Sequence, residues 1–157
     1  MRELTQAEVC QIVDQTVREI TEPMTPLYTC LGAESLSPES CTIQTTFEGG
    51  YRACLTLCAD TALLIRLAKE TLEEETVSQA DLEDFAKEYF NVICGRIAAR
   101  LFQTARISSR FHIPSFRLGP RGPDQEDGGG HVLRYASGQN ERIQIIHQSP
   151  SALSRTM

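Results

Sequence analysis

Long apolar segments are missing from this chain of 157 residues. It contains no uninterrupted apolar run of the roughly 18 residues that a transmembrane helix needs, so we expect no membrane association. The N-terminal sequence Met1-Arg2-Glu3-Leu4 also lacks the apolar core of a signal peptide, and we therefore expect a cytoplasmic protein. A chain of this length can bury a sizeable core, and we expect a single domain over residues 1–148.

The sequence also lacks the motifs of common enzyme classes. It has no Gly-x-x-x-x-Gly-Lys phosphate-binding loop, no Gly-x-Gly-x-x-Gly dinucleotide motif and no His-Glu-x-x-His metal motif. Its three histidines, His112, His131 and His147, stand in or beside predicted strands and loops, and no nucleophile accompanies them. These absences argue against a self-contained hydrolase, and we expect no metal and no cofactor of the protein's own.

Cysteines at metal-binding spacing are absent as well. The chain has six cysteines, but no Cys-x-x-Cys pair and none beside a histidine. Most of them lie in apolar or strand-like patterns, which in a cytosolic protein favours small buried side chains over metal or redox chemistry. The six are Cys10, Cys30, Cys41, Cys54, Cys58 and Cys94.

A basic stripe is missing too, because the net charge of −6 is concentrated in one acidic window. Residues 69–88 contain eight acids and two bases, a sum of −6. Nucleic-acid binding needs clustered Lys and Arg, so we expect no nucleic-acid partner. The acidic window is compatible with a basic protein partner and also with an ordinary solvated face.

The side-chain patterns that are present predict an α+β fold, a mostly antiparallel sheet with two long helices packed on one side. A capping box at Thr5–Glu8 starts the first helix, and alternation with a Gly-Gly turn predicts a hairpin. We predict strands over 41–47, 51–58, 116–118, 132–136 and 142–147, and later helices over 60–72 and 79–104. The segment 24–39 reads as an irregular or short-strand connection, 119–130 as a loop and 149–157 as a disordered tail.

The helix over 79–104 has two different faces. An apolar stripe, which we expect to be buried, contains Leu82, Phe85, Ala86, Tyr89, Ile93, Ile97 and Leu101. On the polar side, Glu88, Asn91 and Gly95 fall within roughly 60° of one another, at about 100° per residue. That face presents an acid, an amide and a stretch of bare backbone, which together can dock on a partner and position a water molecule.

Glu88-x-x-Asn91 on such a helix, within this order of strands and helices, resembles the signature helix of the CheX/CheC/FliY phosphatases of bacterial chemotaxis. One such motif is present, as in the CheX branch, whereas the CheC branch usually carries two. The resemblance covers residues 5–148. It implies a CheX-like phosphatase that accelerates hydrolysis of the aspartyl phosphate on a CheY-type receiver domain.

The resemblance also implies roles for individual residues. The catalytic residues would be Asn91, which orients the attacking water, and Glu88, which pairs with a lysine of the receiver. Asp84 and Gly95 would belong to the docking surface, and the divalent metal would be carried by the partner receiver. Relatives of this family tend to form dimers through sheet edges, so we expect a homodimer in which the last hairpin supplies an edge strand with Ile143, Ile145 and Ile146.

Two alternatives stay open at the level of sequence. The same fold could be a non-catalytic module that binds a receiver or a flagellar component, or a structural or sensory domain whose acidic helix is merely solvated. Asn91 discriminates between catalysis and binding, because binding alone does not require it.

Overall fold

The computed structural model describes residues 4–30, 38–119 and 130–148. These ranges contain three helices, α1 (Gln6–Thr21), α2 (Thr61–Leu72) and α3 (Gln79–Ala105). They also contain seven strands, β1 (Leu27–Thr29), β2 (Ser40–Gly49), β3 (Ala53–Asp60), β4 (Ser109–Phe111), β5 (Ser115–Leu118), β6 (His131–Ser137) and β7 (Arg142–Gln148). The predicted tail over 149–157 and most of the predicted loop, residues 120–129, lie outside the described residues.

Local capping chemistry sets where the helices begin. The predicted capping box is present, because Thr5 Oγ1 accepts a hydrogen bond from the Glu8 amide and the Glu8 carboxylate accepts one from the Thr5 amide. Asp60 holds the N-cap position of α2, as predicted, but its side chain makes no capping bond. Its Oδ2 instead accepts from the Arg142 amide at 2.8 Å, which ties the start of α2 to β7.

The strands form one antiparallel sheet in the order β1-β6-β7-β3-β2-β4, and β5 pairs with the same edge of β2 as β4 does. The predicted hairpins are β2–β3 and β6–β7. The β3 strand lies between β2 and β7, and all of its positions are buried. The sheet thus confirms the α+β class with its antiparallel pairing.

All three helices contribute to one hydrophobic core with one face of the sheet. Leu55, Leu57 and Ala59 alternate along β3 and share that core with Ile143 and Ile145 of β7. The α3 helix contacts both α1 and α2, as well as β2, β4 and β5. The layer therefore contains three helices, where the sequence patterns predicted two long ones.

The predicted position of the last hairpin at a sheet edge is wrong for its second strand. Ile143, Ile145 and Ile146 lie on β7, which is paired on one side with β6 and on the other with β3. Strand order depends on long-range pairing, which the alternation of apolar residues does not encode. The described residues pair β1 with 135–137 of β6 and Cys30 with Arg134, and no described strand pairs with 131–133 on that side. The homodimer itself stays a prediction.

Candidate active site on the third helix

The α3 helix that carries the motif has well-defined ends. At its start the Ser78 side chain accepts a hydrogen bond from the Asp81 amide at 3.1 Å. At its end Arg106 adopts a left-handed conformation, with φ of 58°, and its amide donates to the carbonyls of Leu101 and Phe102. The predicted end at residue 104 is one residue short of the observed end at Ala105. Helical geometry therefore holds over the whole candidate site.

The motif residues Glu88 and Asn91 are both exposed. The two residues between them point inward, with side chains 5% exposed at Tyr89 and 0% at Phe90. Tyr89 is fixed by a hydrogen bond with Thr21 of α1 and stacks on Phe85, with ring centroids 6.0 Å apart. The acid and the amide therefore share the outer face of the helix, one turn apart, and the bulky residues between them anchor that face from below.

Glu88 and Asn91 have no partner within the described part of the chain. No hydrogen bond or ion pair in 4–30, 38–119 and 130–148 engages either side chain, and the same holds for Asp84. Glu83, by contrast, is bound to Lys87 at 2.8 Å. The fold thus pairs one acid of this helix and leaves Asp84 and Glu88 without a partner among the described residues.

Gly95 lies one turn beyond Asn91, and nothing in the described residues explains the absence of a side chain there. A Cβ built on this residue would meet none of their atoms within 4 Å. Packing between the three described helices, the ordinary reason for a glycine inside a helix, therefore does not apply. Glycine inside a helix costs roughly 1 kcal/mol relative to alanine, and no packing contact in the described structure offsets that cost.

Two arginines beyond Gly95 connect α3 to α1. Arg96 and Arg100 both form ion pairs with Glu19, and Arg100 also donates to Thr16 Oγ1 at 3.3 Å. Neither arginine lies in the last turn of α3, so their role here is to join the two helices rather than to complement the helix dipole. Glu19 is a positioning residue that the sequence did not reveal, because its partners are almost eighty positions away.

The chemistry available near the motif is that of positioning rather than attack. Cys94, the thiol of this helix, is buried, and burial raises its pKa, so it is not an activated nucleophile. Burial also raises the pKa of Tyr89 to about 12, which keeps its hydroxyl protonated. Within the described ranges no three acids, histidines or cysteines converge as metal ligands. The face can donate and accept hydrogen bonds and offer negative charge.

Two exposed apolar residues on the same helix were not among the predicted site residues. Val92 is 43% exposed and Phe102 is 48% exposed. On a helical projection Val92 lies about 40° to one side of Glu88 and Phe102 about 40° to the other. Their angular position could have been read from the sequence, since neither belongs to the apolar stripe.

Most cysteines occupy the positions that the sequence suggested. Four of the six are buried, and Cys10 and Cys30 are partly buried. No helix in the described residues is long and apolar enough to span a membrane. Neither observation adds a second candidate site.

The fold is similar to those of several solved chemotaxis and flagellar proteins over most of the chain. CheX from Vibrio vulnificus has a TM-score of 0.72 and 14% identity, with 93% of this chain and 99% of that one covered. The CheX of the CheX–CheY–BeF3–Mg complex from Borrelia burgdorferi has a TM-score of 0.68 and 12% identity, with 89% of this chain and 96% of that one covered. FliY from Thermotoga maritima has a TM-score of 0.62 and 15% identity, with 98% of this chain and 96% of that one covered.

A family model provides the comparison at the level of sequence. The model described as chemotaxis phosphatase CheX matches residues 41–134, more than half of the chain, and this span includes Glu88, Asn91 and Gly95. No curated protein sequence matches the chain significantly. The sequence resemblance and the fold agree, and the chain belongs to the CheX family of chemotaxis phosphatases.

Proposed function

We propose that this protein is a phosphatase that accelerates hydrolysis of the aspartyl phosphate on a CheY-type receiver domain. The observation that carries the proposal is the pair Glu88 and Asn91, exposed one turn apart and unpartnered within the described chain, on the long helix of a CheX fold. One neighbour in the fold, the Borrelia CheX, was solved in complex with CheY. The homodimer and the cytoplasmic location belong to the same proposal.

The proposed mechanism needs no nucleophile on this chain. A receiver carries its own aspartyl phosphate, a divalent metal and a lysine that contacts the phosphoryl group, so the helper needs only to orient a water for in-line attack. Positioning and electrostatics account for most acceleration of phosphoryl transfer. The water oxygen forms a bond to phosphorus, the bond from phosphorus to the aspartyl oxygen breaks, and inorganic phosphate leaves.

Asn91 suits the water-orienting role because its amide oxygen accepts a hydrogen bond from water and carries no net charge. A carboxylate at this place would repel the phosphoryl oxygens. Glu88, one turn earlier, is placed to accept a charge-assisted hydrogen bond from the lysine of the receiver. Asp84 and Gly95 extend the contact on either side, the first by charge and the second by allowing close approach of backbone.

The test is release of phosphate from phosphorylated CheY-type receivers of the same organism. We expect the unaltered protein to shorten the lifetime of the phosphorylated receiver. Asn91→Ala should lower the maximal rate by about 10²–10³, the usual effect of removing one preorganised hydrogen-bonding group. Binding should be retained, because the docking surface is nearly unchanged.

The outcome for Asn91→Ala separates the proposal from the non-catalytic alternative. Binding of the variant is measured in parallel with a receiver loaded with beryllofluoride and Mg²⁺, which stands for the phosphorylated state. If Asn91→Ala releases phosphate as fast as the unaltered protein, Asn91 has no catalytic role and the receiver-binding module becomes the better description. Gln103→Ala, a change of another exposed amide about three turns away along the same helix, is the matched control.

A further inference from the structure

The exposed face of α3 continues well beyond the motif. Four residues past Gly95 comes the exposed Ala99, and three residues further the exposed Phe102, while Val92 flanks the start of this line. We call Val92, Ala99 and Phe102 the apolar strip. Its ends are about 15 Å apart along the helix axis at 1.5 Å per residue. The strip and the motif therefore form one continuous surface.

Val92 and Phe102 lower the intrinsic stability of α3 as a helix. Val and Phe are poorer helix formers than the Ala, Glu, Lys or Arg that usually occupy exposed helix positions. Val92, Gly95 and Phe102 thus all weaken α3, although the two side chains remain nearly half exposed and a Cβ at Gly95 would meet no described atom within 4 Å. A single exposed apolar residue needs no explanation, but Val92 and Phe102 together with a glycine on one face do.

Charge along α3 divides the surface into two halves. Asp81, Asp84 and Glu88 make the N-terminal half acidic. In the C-terminal half Glu19 pairs with both Arg96 and Arg100 and partly neutralises them. A partner that fits this face therefore presents basic charge against the first half and apolar side chains against the second.

We infer that the apolar strip is the part of the docking surface that holds the receiver domain, while the motif acts on its phosphoryl group. The inference rests on the proposed function, and it names the receiver as occupant because the strip continues directly from Glu88 and Asn91. Phe102 is the main anchor: its ring is large, and the Arg106 guanidinium lies 5.4 Å from its centroid. Aromatic residues and arginine are the side chains most enriched where binding energy is concentrated.

The strip would contribute to the affinity for the receiver independently of the contact between Glu88 and the lysine. In interfaces with a charged rim, electrostatics raises the association rate, and desolvated apolar anchors slow dissociation. Salt should therefore weaken the contribution of Glu88 and leave that of Phe102 nearly unchanged.

The experiment measures the affinity of CheY-type receivers, loaded with beryllofluoride and Mg²⁺, for four variants. Phe102→Gln should weaken binding at least about fivefold, Val92→Thr should weaken it less, and Phe102→Leu should recover most of the loss. Leu72→Gln is the matched control, since Leu72 is 45% exposed but lies at the end of α2. All three positions are exposed, and circular dichroism verifies that the four variants are folded.

The inference and the proposed function can fail separately. If Phe102→Gln and Val92→Thr bind the receiver as tightly as the unaltered protein, the inference is wrong even when Asn91→Ala abolishes phosphate release. If the unaltered protein binds the receiver through the strip and releases no phosphate, the proposed function is wrong and the inference holds. If Phe102→Gln instead dissociates a homodimer, or if no receiver binds the unaltered protein, the strip does not hold a receiver.

Discussion

Among single residues, Glu88 is set apart from the other acids of its window by its place on α3. The window over 69–88 contains eight acids, and composition gives no reason to prefer any of them. The structure pairs Glu70 with Arg66 and Glu83 with Lys87, and the other six have no side-chain partner among the described residues. What distinguishes Glu88 from the remaining five is its exposed position one helical turn before Asn91.

Replacing Glu88 by Gln keeps the size of the side chain and removes its charge. We expect the receiver concentration at half-maximal rate to rise about tenfold or more, since a hydrogen bond to a charged group contributes roughly 1.5–3 kcal/mol. The maximal rate should change much less, because Asn91 still holds the water. Initial rates of phosphate release over a range of receiver concentrations separate the two parameters.

The control for this change is Glu74→Gln, another exposed acid of the same window that lies in the link before α3. Equal effects of the two substitutions would mean that only the overall charge of the window matters. In that case Glu88 would have no specific partner on the receiver.

At the scale of elements, Gly95 indicates that α3 is not optimised for its own stability. Gly95→Ala adds a methyl group into open space and removes the entropic cost of glycine in a helix. We expect the free energy of unfolding to rise by up to about 1 kcal/mol, while phosphate release from the receiver falls. Thermal or urea unfolding gives the first quantity and the phosphatase assay gives the second.

Higher stability together with slower phosphate release in Gly95→Ala would indicate that the bare backbone serves contact with the receiver. Gly138→Ala serves as the control, because a Cβ there also meets nothing within 4 Å and the residue lies outside α3. A stabilised Gly95→Ala variant with undiminished activity would show that close approach of the partner at this residue is not required.

The elements that the sequence predicted well are those whose signals are local. The α3 helix was predicted to within one residue at its C-terminal end, because Ser78 and the apolar period are read directly from neighbouring positions. The strands β1 and β4 have three residues each, too few for alternation to be recognised. Their existence depends on partner strands far away in the chain.

The breadth of the buried face of α3 was also underestimated. Phe90 and Cys94 are fully buried although they lie outside the predicted stripe. A helix that contacts two other helices as well as the sheet buries a wider arc than one that packs on a sheet alone. The motif residues were predicted correctly as exposed: Glu88 lies near the centre of the remaining arc and Asn91 at one border of it. Their roles in catalysis stay predictions.

At the scale of the whole molecule, His147 sets an expectation for stability against pH. Its side chain is 5% exposed, and neither ring nitrogen has a hydrogen-bond partner among the described residues. It stacks on Tyr51 at 5.7 Å and lies 6.5 Å from His131. Burial, with the nearby His131, lowers the pKa of His147 from 6.5 to about 4.

The sign of the effect follows from proton uptake. Between pH 6.5 and about 4 the unfolded chain binds a proton at this histidine that the folded chain does not, so stability falls as the pH falls through that window. The full difference corresponds to roughly 3 kcal/mol. Urea unfolding of His147→Phe between pH 7 and pH 4.5 should show a weaker dependence than the unaltered protein.

His131→Gln is the control for this prediction, because it removes only the smaller, charge-based cause. It should retain most of the pH dependence that His147→Phe loses. Identical pH profiles for His147→Phe and the unaltered protein would contradict the assignment. Glu48 and Glu141, whose pKa values are lowered by His112 and Arg66 respectively, affect stability chiefly at more acidic pH.

The contacts between α1 and α3 hold the exposed face of α3 in place before any partner binds. Glu19 holds Arg96 and Arg100, and Thr21 holds Tyr89, so the helix can neither slide nor rotate without breaking contacts on both sides of Asn91. If Glu88 and Asn91 act as proposed, the conformational entropy lost in ordering their face is therefore lost during folding and not at the encounter. A receiver would then meet a surface that needs no rearrangement, and the rate of the encounter would be set by diffusion and charge.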